Sequence, residues 1–149
     1  MEKRTIHEKL KGIQSSLKAP KGQTNKFGGY SYRSAEDILT AVKPLLSQYG
    51  CTLVITDDIV GVEGRVYVKA TAVLAESESD YSIQVQGFAR EAESRKGMDD
   101  SQITGSASSY ARKYALNGLF AIDDTKDADA TNDHGKKQVK ASAKSDFDF

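Results

Sequence analysis

Lys26 to Arg33 reads KFGGYSYR: three aromatic rings, two cations and two glycines within eight residues. Tyrosine rings stack on flat ligands such as nucleobases, while Lys and Arg meet phosphate oxygens. Glycines such as Gly28 and Gly29 let a backbone come close to a ligand. If the segment is extended, Tyr30 and Tyr32 lie on one face. The competing reading is that both rings cover the edge of a core.

A second set of such residues follows Gly105. Gly105, Ser106, Ala107, Ser108 and Ser109 form a run of small residues that permits close approach of a backbone or of another subunit. Tyr110 and Tyr114 are four apart and share a helix face. Arg112 and Lys113 project from other sides, with Lys113 expected nearer a solvent flank. The bland alternative is a core helix with Tyr110, Tyr114 and Leu116 inside and two ordinary surface cations. A third cluster, Arg90, Arg95 and Lys96, lies in a segment that reads as a loop, where binding residues are common.

Bond-making chemistry has thinner support. The chain holds no G-x-x-x-x-G-K-[ST] phosphate loop and no G-x-S-x-G elbow. His7 and His134 have no neighbour in sequence suited to acid–base work. The pairs Asp57-Asp58, Asp99-Asp100 and Asp123-Asp124 could serve a nuclease as Mg²⁺ ligands, but such pairs more often cap helices or decorate turns. Asp127 to Thr131 starts like a calcium loop, yet the required Gly and Glu do not follow. Cys51 is the only cysteine, which excludes an internal disulfide and a multi-cysteine metal site. The expectation is no cofactor and no metal.

Net charge is zero, but it is unevenly distributed. Residues 1–33 carry eight Lys/Arg against two Asp/Glu, and residues 34–64 carry one Lys against five acids. Patches of this kind steer polyanions. MEKRTIHEKL lacks a signal peptide's apolar run, and no stretch suits a bilayer span. The expected setting is the cytoplasm, with no membrane partner.

The elements that must position these residues are legible by period. Ile6, Leu10, Ile13 and Leu17 predict an amphipathic helix over residues 3–18. Ser34 and Asp37 open a second helix in the manner of a capping box, and Gly50 closes it. Pro44 should kink or interrupt it. CTLVI (51–55), RVYVKATAVLA (65–75) and YSIQVQGFA (81–89) predict three antiparallel strands, the last two by alternation. Residues 102–117 predict a third helix, stopped by Asn117-Gly118, with Leu119 to Ile122 as a short apolar closing piece. The fold class is α+β: a sheet of three or more antiparallel strands with helices on one face. Residues 1–123 form the domain. Residues 124–149, poor in large apolar side chains, form a disordered tail.

The order KFGGYSYRSAEDI, then VKPLL with Gly50, then strands, then GSASSYARKYALNGLFAIDD before an acidic tail closely resembles the ERF family, phage "essential recombination function" proteins. The resemblance spans residues 1–130, about, and two long motifs, Tyr30–Asp37 and Gly105–Asp124, carry it. It implies a non-enzymatic protein that binds single-stranded DNA, assembles into rings or filaments, and anneals complementary strands without ATP. It also implies a bent antiparallel sheet crossed by a long helix. Family-like positions are Lys26, Tyr30, Tyr32 and Arg33, then Ser106, Tyr110, Arg112, Lys113 and Tyr114. On that reading Lys26, Arg33, Arg112 and Lys113 contact phosphates, and Tyr30 and Tyr32 support stacking.

The closing residues Asp146, Phe147, Asp148 and Phe149 look like the acidic, Phe-ending tips of bacterial single-strand-binding proteins, which recruit partners. A host single-strand-binding protein or a phage exonuclease is the candidate partner. Two rival readings stand beside annealing: a metal-dependent nuclease using the paired aspartates, and an accessory protein acting through this tip.

Overall fold

Three capping boxes and three hairpins set the chain's path in the computed structural model, which describes residues 4–25, 27–94 and 96–122. Helix α1 (Ile6–Ser16) starts where the Thr5 hydroxyl accepts the Glu8 N–H and the Glu8 carboxylate accepts the Thr5 N–H. Ser34 and Asp37 do the same for α2 (Ala35–Tyr49), as the sequence predicts. The Ser34 N–H holds the Asp37 carboxyl below its usual range. Asp99 and Gln102 open α3 (Asp100–Phe120). Thus the Asp99-Asp100 pair does cap a helix.

The first hairpin joins β1 (Gln23–Asn25) to β2 (Tyr30–Tyr32). The main sheet has the order β3 (Cys51–Val62), β4 (Arg65–Glu76), β5 (Ser82–Arg90), antiparallel throughout. Glu63 and Gly64, both at positive φ (50° and 78°), turn β3 into β4. Every second residue of β4 from Val68 to Leu74 is buried beneath α3. Among the described residues no helix covers the other face of the sheet, where Ser82, Gln84, Gln86, Phe88 and Arg90 of β5 are exposed.

Four expectations need correction. Strand β3 runs to Val62 rather than Ile55, so Asp57 and Asp58 lie within a strand and not in a turn. Its pairing with β4 continues to Val62↔Arg65, and that ladder outweighs the low strand preference of two aspartates. Helix α2 continues through Pro44 to Tyr49, so the proline does not interrupt it: Ile38 and Val42 before it are buried, and Leu45, Leu46 and Tyr49 after it pack against the core. Residues 119 and 120 belong to α3 and are buried; Ala121, not Asn117-Gly118, caps that helix in a left-handed conformation. Gly118 instead gives room to Val85 of β5.

The core sits between the sheet and the helices, with Ile13 of α1, Ile38 and Val42 of α2, Leu74 of β4, and Leu116 and Phe120 of α3 fully buried. Each such side chain contributes about 1.5–3 kcal/mol. Gln14 of α1 donates to the Leu119 carbonyl at 2.9 Å, tying α1 to the end of α3. Cys51 lies in the same interior, and burial pushes its thiol pKa up.

Candidate nucleic-acid interface

Helix α3 presents a stripe centred on alanines to the sheet. Ile103, Ala107, Ala111, Ala115 and Leu119, spaced by four, are all buried. Under them lies Gly87 of β5, where an added Cβ would stand 2.4 Å from the Ala111 carbonyl oxygen and the Ala115 nitrogen. An alanine stripe on a glycine brings helix and strand together at the backbone.

That seating turns the tyrosines outward. Tyr110 and Tyr114 are 49% and 45% exposed, with ring centroids 6.2 Å apart. Neither is a core residue, contrary to the bland reading. Lys113, expected near solvent, is instead 6% exposed, with its Nζ 5.9 Å from the centre of the Tyr32 ring. Arg112 faces the sheet's far edge, where its Nε lies 3.2 Å from Asp57 Oδ1. Ser108 Oγ donates to the other Asp57 oxygen at 2.5 Å.

The first motif is likewise built around its rings. Tyr30 and Tyr32 are half-buried on one side of β2, edge to face at 6.2 Å. The Asn25 side chain accepts the Phe27 and Gly28 N–H groups and donates to the Tyr30 hydroxyl. Gly28 has no Cβ because the Tyr30 ring would meet one at 2.2 Å. The space beside Gly28 is therefore filled by the protein's own ring. Gly29 takes the left-handed φ of 63° that completes the turn. Phe27, at the turn's tip, is fully exposed. Arg33 is 4% exposed and donates from Nε to the Ala19 carbonyl, so its placement is that of a structural residue rather than a surface phosphate contact.

Grooves lie on both flanks of Tyr110, and the first of them joins the two motifs. The first, of about 420 Å³, is lined by Tyr32, Ser34 and Glu36 on one side and Ser106, Tyr110 and Lys113 on the other. The second, of about 350 Å³, runs between Phe88 and Arg90 of β5 and Ser106, Tyr110 and Tyr114 of α3. Ser106 and Tyr110 line both, so Tyr110 is a ridge with a groove on each flank. Arg90 and Lys96 are exposed nearby in sequence. Sequence reasoning missed Phe88, although its place in the alternation of Ser82, Gln84 and Gln86 was readable. Lys26, Arg95 and the tip Asp146, Phe147, Asp148 and Phe149 lie outside the described residues, as does Asp123-Asp124. Among the described residues no group of three or more His, Cys, Asp or Glu is placed to hold a metal ion. No helix among them is long and apolar enough to cross a membrane.

Gly105 meets no atom within 4 Å where a Cβ would project. Gly105→Ala should therefore stabilise the helix by about 0.5–1 kcal/mol, read as a modest rise in melting temperature. A methyl there that also weakened strand binding would place the helix's outer start in the contact surface.

Among the described residues these features define an α+β domain with one sheet face free of helices and a groove on each flank of a tyrosine ridge. A profile of the ERF superfamily matches residues 6–147, and the chain belongs to that superfamily. It is 54% identical over 139 residues to the essential recombination function protein of Salmonella phage P22, an overlap covering 93% of this chain and 65% of that protein. The chain thus spans about two thirds of that relative's length. No solved structure matches it.

Proposed function

We propose that this chain is an ATP-independent annealing protein of phage homologous recombination, which binds single-stranded DNA as a ring or filament of identical subunits. Family membership and the name of the P22 relative support the recombination role. The observation that carries the binding role is the convergence of both sequence motifs on one groove, whose wall, the exposed Tyr110, also lines a second groove beside β5. The two grooves share Ser106 and Tyr110, an arrangement that suits a chain ligand passing from one to the other.

In this reading Tyr110 and Tyr114 offer ring faces to bases, and Arg90, Lys96 and Arg112 meet phosphates. The Arg112–Asp57 pair is partly exposed, so a phosphate can compete for the guanidinium at little cost. Lys113 and Arg33 act by holding Tyr32 and the chain around Ala19 in place. An annealer must grip the backbone and leave base edges free, which favours phosphate contacts with weak sequence preference. One groove holds few nucleotides, so a row of subunits multiplies the grip. Residues 1–123 form the binding and assembly domain, and the tip at Phe149 recruits a host or phage partner in the cytoplasm.

Mixing the full chain with two labelled complementary strands and Mg²⁺, without ATP, tests the reading. Duplex should form faster than with no protein, and neither strand should shorten. Shortened products would favour the nuclease; unaltered annealing with no strand binding would overturn the proposal.

A further inference from the structure

The cations of the two motifs are largely committed within the fold, which directs attention to those that are not. On β4, Arg65, Tyr67 and Lys69 alternate onto the face opposite α3, because Val66 and Val68 occupy the other. The register sets Arg90 of β5 opposite Tyr67, and Phe88 opposite Lys69. Aromatic and cationic side chains therefore alternate across two strands as on a checkerboard. Phe88 is 48% exposed, Arg65 and Arg90 are exposed, and among the described residues no helix crosses this face.

Among the described residues none of these three cations is ion-paired. Acids at this end are Asp58, opposite Lys69, and Glu63 in the turn before Arg65. Towards the other end the face is uncharged, with side chains such as Thr71 and Gln86. Positive charge is thus confined to one end, and it sits beside ring faces. Diagonal neighbours such as Tyr67 and Phe88 stand about 7–8 Å apart, so each ring can take its own base.

Phe88 and Arg90 also line the groove beside Tyr110. Strand β5 is an edge strand, so nothing in the sheet separates that groove from the open face. We propose that the uncovered sheet face is a second nucleic-acid-binding surface, on which Arg65, Tyr67, Lys69, Phe88 and Arg90 receive a single strand continuing from the Tyr110 groove around the free edge of β5. The occupant is single-stranded nucleic acid, since that ligand alone combines a repeating anion with unpaired flat bases. The inference rests on the strand-binding reading above and extends its path.

The test uses the full chain and oligo(dT) of increasing length at several salt concentrations. Tyr67→Leu with Lys69→Gln should weaken binding of long oligomers about tenfold, the lower part of the range for one lost stack, and reduce the salt slope by about 1. Oligomers short enough to fill only the Tyr110 groove should bind as tightly as to the unaltered chain. The chain has no tryptophan, so Tyr67→Trp supplies an independent reporter. Its fluorescence should be quenched by long oligomers and not by short ones.

Equal affinity at every length, or an indole that long oligomers leave unquenched, overturns the second surface alone. An indole that becomes buried on raising protein concentration without DNA makes this face a subunit contact and also overturns it. An unaltered chain that binds no oligo(dT) overturns the strand-binding reading itself.

Discussion

Gly87→Ala is expected to cost about 2–3 kcal/mol, the upper part of the usual range for overpacking, and to lower the melting temperature by roughly 10 °C. The added methyl would stand 2.4 Å from two backbone atoms of α3, the Ala111 oxygen and the Ala115 nitrogen. Backbone cannot rotate aside as a side chain does, so the helix must lift from the sheet along a stripe of alanines. Lifting it opens voids under Ala111, Ala115 and Leu116, all fully buried. Gly118→Ala provides the contrast. Its Cβ would meet Val85 Cγ1 at 2.9 Å, the end of a side chain that can yield. It also removes a helix-interior glycine, which offsets part of any strain. Thermal unfolding followed by circular dichroism should show a large drop for Gly87→Ala and a small change for Gly118→Ala. Equal melting temperatures for the two variants would mean that α3 does not seat this closely on β5.

The same contact explains which parts of the site could be read from sequence. The period of Ile6, Leu10 and Ile13, the Ser34–Asp37 box and the alternation of Val66, Val68 and Ala70 are local signals, and they located the elements. The T-x-x-E of Thr5 and Glu8 is equally local and would have placed the start of α1 at Ile6. Which side of α3 faces inward is not a local matter. By bulk and apolar character Tyr110, Tyr114 and Leu116 look like the buried face, and only Leu116 is buried. The spacing of Ala107, Ala111 and Ala115 was visible, but its meaning depends on Gly87, which lies at least twenty residues earlier and on another element. With the alanines inward, the tyrosines must turn out and Lys113 must turn towards Tyr32. The Asp57 carboxylate was misplaced for a similar reason. Its partners Ser108 and Arg112 are 51 and 55 residues away, and nothing in TDD announces them.

Tyr110→Ala with Tyr114→Ala should leave the fold intact and remove most of the affinity for single-stranded DNA. Both rings are about half exposed and neither belongs to the buried core, so truncation opens no cavity there. Tyr110 lines both grooves, and Tyr114 lines the one that leads to Phe88 and Arg90. Each stacked base is worth about 1–3 kcal/mol, so losing two stacks should weaken binding about 30-fold or more. Because no charge is removed, the salt slope of binding should stay as it was. That pairing of a large affinity loss with an unchanged slope separates stacking from phosphate contact. Replacing Arg112 and Lys113 together by Ala should give the opposite slope behaviour, with a flatter dependence on salt. It should also lower stability, because Lys113 is buried against Tyr32 and Arg112 holds Asp57. Fluorescence anisotropy with a labelled oligonucleotide at two salt concentrations, beside a melting curve for each variant, reads all of these effects. Should the double tyrosine variant bind as the unaltered chain does, the ridge is not where bases stack, and the strand must lie elsewhere on the domain.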